Sequence, residues 1–469
     1  MLRTTFLFAT VCVAMSAGGE SFAPRFEQIK RTARPAELYT LLYDLPKGGD
    51  LHNHIGGAVR SEWWYAIATD PTRNGGDAFY TRVKFSTKLD TRTPLVLFHT
   101  IRQFSFDHLP ATAQADYVRL DQLTPALRQE WMDSLRLEQP GEGRHEFFDR
   151  IWPRTGELHQ NVHVLGEIIV ENLKAFGAEG VRYLETQVGG LNFTDNAGQP
   201  IALGNTVAIL KARLARPDAT ASGVTVRFQQ TVLRFADNAE EQLEAAYQFV
   251  DGHRDLWVGI NMAGVEENDK GNAPRFLAKY RELRRKFPTL ALSIHAGEMD
   301  GPDKHIRDTL LLGASRIGHG VNLIMDPDTL LLMRGNRWLV EVNLISNQLL
   351  EYTPDLAKHP FPEYLRTGVP VCLNTDDRGM WDSNLTDEYY TAVTNYNLSW
   401  DEVVTLGRNS LTYSFVQPEV KAHLLADYDR AVAAFEAKYL PADSLRLLSA
   451  VSPVTYGYGK RTWKFSFAQ

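Results

Sequence analysis

Short apolar runs that return at a steady interval dominate the chain beyond residue 180. Seven runs rich in β-branched residues start 23 to 43 residues apart, which is the length of a strand plus a crossover helix and its loops. They lie at residues 181–185, 224–228, 256–260, 290–294, 316–319, 339–343 and 370–374, and an earlier run at 49–52 makes eight. Eight strands, each followed by a helix, predict an α/β fold of the (β/α)8 TIM-barrel type. An open doubly wound sheet is the alternative, because spacing alone does not show closure.

The interval between the first and second runs is much longer than a single crossover requires, at more than 120 residues. Residues from about 60 to 160 are rich in aromatic residues and helix formers. We expect a helical insertion over one mouth of the barrel, ending in a crossover helix near residues 160–176; a separate helical domain is the alternative. Further helices are expected at residues 401–415 and 420–439, and residues 462–469 are expected to fray.

The N-terminus has the pattern of an export signal. Arg3 is followed by an apolar run over residues 6–13 and by small residues at 14–18. We expect a signal peptide over residues 1–17, a single barrel domain over residues 18–469, and export to a periplasm or secretion. A short buried helix or a membrane anchor is the alternative, although the run is too short to span a bilayer. Removing the signal removes Cys12 and leaves Cys372, so no intramolecular disulfide is expected.

Composition excludes several classes of protein. The net charge of −7 over 469 residues provides no basic surface for gripping phosphates, so we expect no nucleic-acid partner. The 44% hydrophobic content suffices for a large core, and no membrane span is expected.

Metal-ligating residue types follow several of the strand-like runs, where barrel enzymes carry their catalytic groups. These residues are His52, His54, His295, Glu298, His319, Asp376 and Asp377. An H-x-H triplet alone is weak evidence, and an Asp-Asp pair is usually an exposed cap. Together, however, three His and one Asp form a plausible ligand set for zinc, and the remaining groups suit acid–base hydrolysis. Nine His lie away from these ends and are interpreted as structural: His99, His108, His145, His159, His163, His253, His305, His359 and His423.

These segments resemble the adenosine deaminase family of metal-dependent amidohydrolases. The matching stretches are D-L-H-N-H at residues 50–54, N-M-A-G at 261–264, S-I-H-A-G-E at 293–298, R-I-G-H-G at 316–320, E-V-N-L-I-S-N at 341–347 and L-N-T-D-D at 373–377. The lead-in K-G-G-D at residues 47–50 and the export signal resemble the branch of secreted, growth-factor-like adenosine deaminases and their bacterial relatives.

The resemblance implies one zinc ion per subunit, held by His52, His54, His295 and Asp376. It implies that Glu298 donates a proton to purine N1 and that His319 orients and deprotonates the attacking water. It also implies that Asp377 binds purine N7 and that the backbone of Gly264 contacts the purine ring. The implied reaction is hydrolytic deamination of adenosine or 2'-deoxyadenosine at C6, which yields inosine or 2'-deoxyinosine and ammonia.

Two departures from the family pattern leave alternatives open. Gly56 stands where many members have an aspartate that contacts ribose, and Asn261 replaces the usual Asp of the D-L-A-G motif. The same chemistry on adenine or on a modified adenine nucleoside is therefore an alternative. A binding or signalling protein that retains the metal site as structure is a further alternative, although no ligand position is lost.

Overall fold

A computed structural model of the chain describes residues 21–86, 94–139, 141–189, 192–266, 269–299, 301–465 and 467. The predicted signal peptide at residues 1–17 lies outside the described residues, so it stays a prediction. Within the described ranges, no helix is both long and apolar enough to cross a membrane.

Eight parallel strands form the centre of the molecule, and they occur in space in the same order as in the sequence. They are β1 (Gly48–His54), β2 (Val181–Gly189), β3 (Thr225–Leu233), β4 (Trp257–Ala263), β5 (Ala291–Ala296), β6 (Arg316–His319), β7 (Leu339–Val342) and β8 (Val371–Leu373). Just beyond the end of β8, Asp376 forms a parallel bridge with Asn53 of β1. The Asp376 amide donates to the carbonyl of His52 (2.9 Å), and the His54 amide donates to the carbonyl of Asp376 (3.2 Å). The last strand thus meets the first, and the TIM-barrel prediction is confirmed.

Crossover helices cover the outside of the barrel because each presents one apolar face. In the helix Ala239–Gly252, Leu243, Ala246, Tyr247 and Val250 are buried at the i, i+3, i+4, i+7 spacing of such a face. The principal helices after β1 to β7 are Val162–Ala178, Leu203–Leu214, Ala239–Gly252, Ala273–Lys286, His305–Leu312, Pro327–Asn336 and Phe361–Thr367. Shorter helices lie in the loops at Pro217–Thr220, Leu344–Leu349 and Arg378–Trp381, with 3-10 turns at Asp269–Gly271, Val321–Met325 and Leu356–Lys358.

The segment between β1 and its crossover helix contains helices, as expected, and also a small antiparallel sheet. Its strands are Phe79–Arg82, Thr100–Arg102 and Tyr117–Arg119, with Phe79–Arg82 in the middle. The helical stretches are Ser61–Ala68, Gln103–Asp107, Ala111–Gln114, Leu120–Gln122, Pro125–Asp133, Arg144–Glu146, Phe147–Ile151, Trp152–Thr155 and Leu158–Gln160. Strands of three or four residues are too short to show an alternating pattern, which explains why the sequence does not predict them.

Terminal helices pack against the bottom and side of the barrel. They are Phe22–Thr32 and Pro35–Asp44 before β1, and Leu385–Tyr396, Trp400–Thr412, Pro418–Tyr439, Ser444–Ala450 and Gly457–Trp463 after β8. The Phe465 ring is buried and lies 5.1 Å from the ring of Tyr39. The expectation that the tail frays from residue 462 is therefore wrong for this part, because aromatic contacts hold it to the N-terminal helices.

Candidate active site

A cavity of about 810 Å³ opens at the carboxyl ends of the barrel strands. His54, His295, Glu298, His319, Asp376, Asp377 and Gly264 all line it. Residues of the insertion, including Phe147, Phe148 and Trp152, line the opposite side. The structure thus brings together residues that are separated by more than 300 positions in the sequence.

The two histidines of β1 face the barrel interior because alternate residues of a strand point to the same side. Their ring centroids are 5.5 Å apart. Asn53, which lies between them, points away and bonds to Thr186 and Thr375 on the neighbouring strands. Gly318 allows the His52 ring to sit against β6, since a Cβ at residue 318 would lie 2.7 Å from Cε1 of that ring.

The nitrogen and oxygen atoms of the expected ligands lie around the Asp376 carboxylate. The ligand atoms of His52, His295, His319 and Asp376 all lie within 4.8 Å of one another, and His54 groups with Asp376 and Asp377. His54 Nε2 lies 3.1 Å from both His295 Nε2 and Asp376 Oδ1, and His52 Nε2 lies 3.4 Å from Asp376 Oδ1. Asp376 has a left-handed backbone (φ 53°), which is rare for a non-glycine residue and typical of constrained functional sites.

These donors fit a cation. His52 Nε2 is buried and has no hydrogen-bond partner among the described residues, and two imidazole nitrogens approach each other with a carboxylate beside them. Imidazole nitrogen and carboxylate oxygen are the donors that zinc prefers in catalytic sites. The cluster is therefore a metal-binding site in its chemistry, with His319 close enough to face the same ion.

Glu341, on β7, completes the surroundings of His52. Its Oε2 accepts from His52 Nδ1 (2.8 Å), which leaves Nε2 of that ring to face the ion. Ser293 Oγ donates to Oε1 of the same carboxylate (2.8 Å), and Arg316 Nε lies 2.6 Å from that oxygen. Burial opposes ionisation of Glu341, but Arg316 and His52 together lower its pKa below the ordinary range. Glu341 is not among the residues predicted for the site; a lone acid inside the apolar run L-V-E-V is the sequence signal that could have indicated it.

Glu298 enters the cavity from a tight turn after β5. Gly297 has φ 74°, and a Cβ there would lie 2.5 Å from Asn322 and from Ile306. The Gly297 amide donates to the buried carboxylate of Glu266 (3.0 Å), which fixes the turn. Burial raises the pKa of Glu298 well above its usual range, and the neighbouring charges of Asp376 and Glu266 raise it further. The surroundings of Glu298 thus favour the protonated form of the carboxyl group that faces the cavity.

His319 lies beside Glu298, with Nε2 3.5 Å from Glu298 Oε1. Its backbone is left-handed (φ 65°). Two amide nitrogens approach its Nδ1: Asn347 Nδ2 at 3.1 Å and Asn343 Nδ2 at 3.2 Å. Burial and the nearby His52 ring lower the pKa of His319 to about 3, so the ring is neutral.

Asp377 and Gly264, for which the resemblance implies purine contacts, both line the cavity. Asp377 is buried, and burial together with Asp376 and Glu298 raises its pKa well above the usual range. Gly264, at the end of β4, has φ 112° and exposes its backbone to the cavity. Asn261 points into the barrel and donates to Gln229 Oε1 (3.4 Å), away from the metal ligands.

Two further cavity residues were missed from the sequence. Gln187 at the end of β2 is buried, and neither its amide nitrogen nor its amide oxygen has a partner among the described residues. Trp152, from the insertion, lies over Gly56, where a Cβ would be 3.1 Å from its ring. A tryptophan thus covers Gly56, the position at which many family members have an aspartate that contacts ribose.

The fold and the cluster together define a (β/α)8-barrel enzyme of the metal-dependent amidohydrolase type. The family model described as adenosine deaminase matches residues 125–431, which is more than half of the chain. The chain belongs to the adenosine deaminase family. That match begins after β1, so His52 and His54 lie outside it.

Curated relatives with two different names are similar to this chain. An adenosine deaminase from Enterococcus faecalis is 38% identical over 174 residues, which is 37% of this chain and 50% of that protein. An adenine deaminase from Paraburkholderia phytofirmans is 31% identical over 237 residues, which is 50% of this chain and 65% of that protein. The chain thus spans about half to two thirds of the length of these relatives.

Among solved structures, the N6-methyl-AMP deaminase of Arabidopsis thaliana superposes with a TM-score of 0.61 at 21% identity. The superposition covers 84% of this chain and 99% of that one. At this identity the likeness establishes the fold.

Proposed function

We propose that this protein is a zinc-dependent hydrolase that deaminates adenosine or 2'-deoxyadenosine to inosine or 2'-deoxyinosine and ammonia. The observation that carries the proposal is the grouping of His52, His54, His295 and Asp376 beside Glu298, a buried carboxyl group whose pKa is raised. A zinc ion bound there would supply the Lewis acidity that lets water act as a nucleophile at neutral pH.

The residues of the chain supply the remaining chemistry. Glu298, whose pKa is raised by burial, gives its proton to purine N1, which draws electron density from C6. Asp377, whose pKa is raised in the same way, donates a hydrogen bond to N7 in its protonated form, and the backbone at Gly264 holds the ring. His319 faces the C6 side and orients the water. Water adds at C6 as one of its protons passes to the Glu298 carboxylate, which then protonates the amino group. Ammonia leaves, the remaining hydroxyl proton returns to Glu298, and the 6-oxo purine keeps the proton on N1.

Cavity charge favours a neutral substrate over a nucleotide. None of the described residues that line the cavity is Lys or Arg, and Asp149 adds an acidic group on the insertion side. A 5'-phosphate carries nearly two negative charges and binds best to arginine, lysine or a helix N-terminus. We therefore expect weak turnover of N6-methyl-AMP and AMP compared with adenosine.

Free adenine or a modified adenine nucleoside is the second candidate substrate. The contact between Gly56 and Trp152 favours it, because the position expected to contact ribose is covered by an indole ring. One of the similar relatives is named adenine deaminase.

Ammonia release from the zinc-loaded protein separates these candidates. Adenosine, 2'-deoxyadenosine, adenine, AMP and N6-methyl-AMP should be compared at equal concentration, with Glu298→Gln as the inactive control. A preference for the nucleosides supports the first proposal, and a strong preference for adenine supports the second. The absence of turnover with every purine would overturn both.

We further propose that the chain is exported through the signal at residues 1–17. The mature N-terminus should then lie near residue 18. Mass spectrometry of the protein recovered from periplasm or medium tests this proposal, and an intact Met1 in the cell interior would contradict it.

A further inference from the structure

His359 is a buried histidine outside the cavity that the proposed chemistry does not use. Its exposed fraction is 1%, and it lies between the 3-10 turn Leu356–Lys358 and the helix Phe361–Thr367. Burial lowers its pKa to about 3. Its two ring nitrogens each have one partner, and those partners determine where the ring proton sits.

The direction of the first hydrogen bond is unambiguous, because a backbone amide can only donate. The Phe361 amide donates to His359 Nδ1 (3.1 Å), so Nδ1 is unprotonated and the ring proton sits on Nε2. His359 Nε2 then donates to Asn347 Oδ1 (3.1 Å). The reverse orientation of that amide would set two donors against each other.

The orientation of Asn347 fixes the next bond. With its oxygen facing His359, its Nδ2 donates to His319 Nδ1 (3.1 Å). His319 Nδ1 must therefore be unprotonated as well, and the ring proton lies on Nε2. Nε2 is the nitrogen that faces the cavity and Glu298.

Asn343 does not fix the position of the His319 ring proton in the way that Asn347 does. Its Nδ2 lies 3.2 Å from the same Nδ1 of His319, but its Oδ1 has no hydrogen-bond partner among the described residues. Nothing on its far side therefore holds its amide in one orientation. Asn347, whose far side is held by His359, decides the position of the ring proton.

We infer that His359 and Asn347 are positioning residues that hold His319 as the Nε2–H tautomer, so that His319 orients the attacking water by donating a hydrogen bond to it. The tautomer follows from the hydrogen bonds alone, whereas its consequence for the water rests on the proposed deaminase function. The resemblance gives His319 two roles, orientation and deprotonation; this tautomer supports the first and withholds Nε2 from the second.

Nuclear magnetic resonance measures the tautomer directly. The full-length protein, labelled with 15N at histidine and loaded with zinc, should give long-range 1H–15N correlations typical of a protonated Nε2 and an unprotonated Nδ1 for His319. Loss of that set of signals in His319→Gln identifies it. A protonated Nδ1 on His319 in the unmodified protein would overturn the inference, whether or not any purine is turned over.

Three variants test the role of the positioning residues. Asn347→Asp has nearly the same shape but can only accept, so the His319 proton should move to Nδ1. If the enzyme is active, kcat should fall at least about tenfold with KM changed less than about threefold, since proton-handling groups contribute roughly 10²–10⁴. His359→Leu has no donor toward Asn347 and should lose the wild-type tautomer, whereas His359→Gln, which keeps a donor, should restore it. An unchanged tautomer in Asn347→Asp would contradict the inference.

Discussion

At the scale of single residues, the site depends on carboxyl groups whose protonation is set by their surroundings. Glu298 and Glu341 are both buried, yet the pKa of Glu298 is raised and that of Glu341 is lowered. The difference arises because Glu341 faces Arg316 and His52, whereas Glu298 faces the acidic groups Asp376 and Glu266. The surroundings therefore favour Glu341 as an anion that accepts from His52, and Glu298 in its acid form.

The pH dependence of deamination should follow Glu298. Because its folded-state pKa is raised, the protonated and active form predominates below that pKa and is lost as the pH rises through it. We expect kcat/KM to fall on the alkaline side. Glu298→Gln should lose at least about 100-fold in kcat at every pH, which is the usual contribution of a general acid. A full pH–rate profile with the same alkaline limb in Glu298→Gln would contradict this assignment.

Glu341→Gln should weaken zinc binding by about 10- to 100-fold, the usual effect of removing the partner of a metal-ligating histidine. Titration against a competing chelator measures the change. Glu363→Gln, an exposed acid on the helix Phe361–Thr367, is the matched control and should bind zinc like the unmodified protein. Equal affinities in the two variants would show that the bond from His52 to Glu341 does not support the metal.

Gln187→Leu tests a residue that only the structure revealed. The buried amide of Gln187 has no partner among the described residues and lines the cavity, so it can bind a polar group of the substrate. Without it, that substrate group is left unpaired, which weakens binding by roughly 1–3 kcal/mol. We expect KM to rise with little change in kcat for adenosine and a smaller effect for adenine. Equal effects on both would place the contact on the base instead of the sugar.

At the scale of elements, the turn after β5 couples backbone geometry to catalysis. Gly297 needs a left-handed conformation and has no room for a side chain, and the backbone on both sides is held: Arg234 donates to the His295 carbonyl (2.7 Å), and Glu266 accepts from the Gly297 amide. The sequence pattern H-A-G-E predicts the turn, whereas the residues that hold it come from the loop after β3 and from the loop after β4.

Gly297→Ala should destabilise the fold by about 1–3 kcal/mol and lower kcat, since strain at φ 74° and the clash with Ile306 displace Glu298. Gly301→Ala, four residues later, is the control because a Cβ there meets nothing within 4 Å. Thermal unfolding and turnover measure both effects. Equal melting temperatures in the two variants would show that the turn tolerates a side chain.

At the scale of the whole molecule, the metal cluster joins the beginning and end of the barrel. His52 and His54 come from β1, His295 from β5, and Asp376 from the loop after β8, where the barrel closes. A cation that binds these four groups stabilises the closed barrel and not the unfolded chain. Binding and folding are therefore linked.

Removing zinc should lower the melting temperature, and restoring it should raise stability by about 2.7 kcal/mol at 100 times the dissociation constant. Differential scanning calorimetry with and without a chelator measures the shift. His54→Ala should give a protein whose melting temperature does not respond to zinc. If the melting temperature of the unmodified chain did not change with zinc, the cluster would not stabilise the closed barrel through a bound metal.

The sequence by itself determined the barrel and predicted residues that gather at one end of it. Strand spacing and the types of residue that end the strands are local properties, so they are readable without the fold. Only the tertiary structure decided which other side chains contact these predicted site residues. Glu341, Asn347, His359, Gln187 and Trp152 act through contacts between distant segments, and no periodicity in the chain records those contacts. Closure at Asn53 and Asp376 was decided in the same way, because it joins segments more than 300 residues apart.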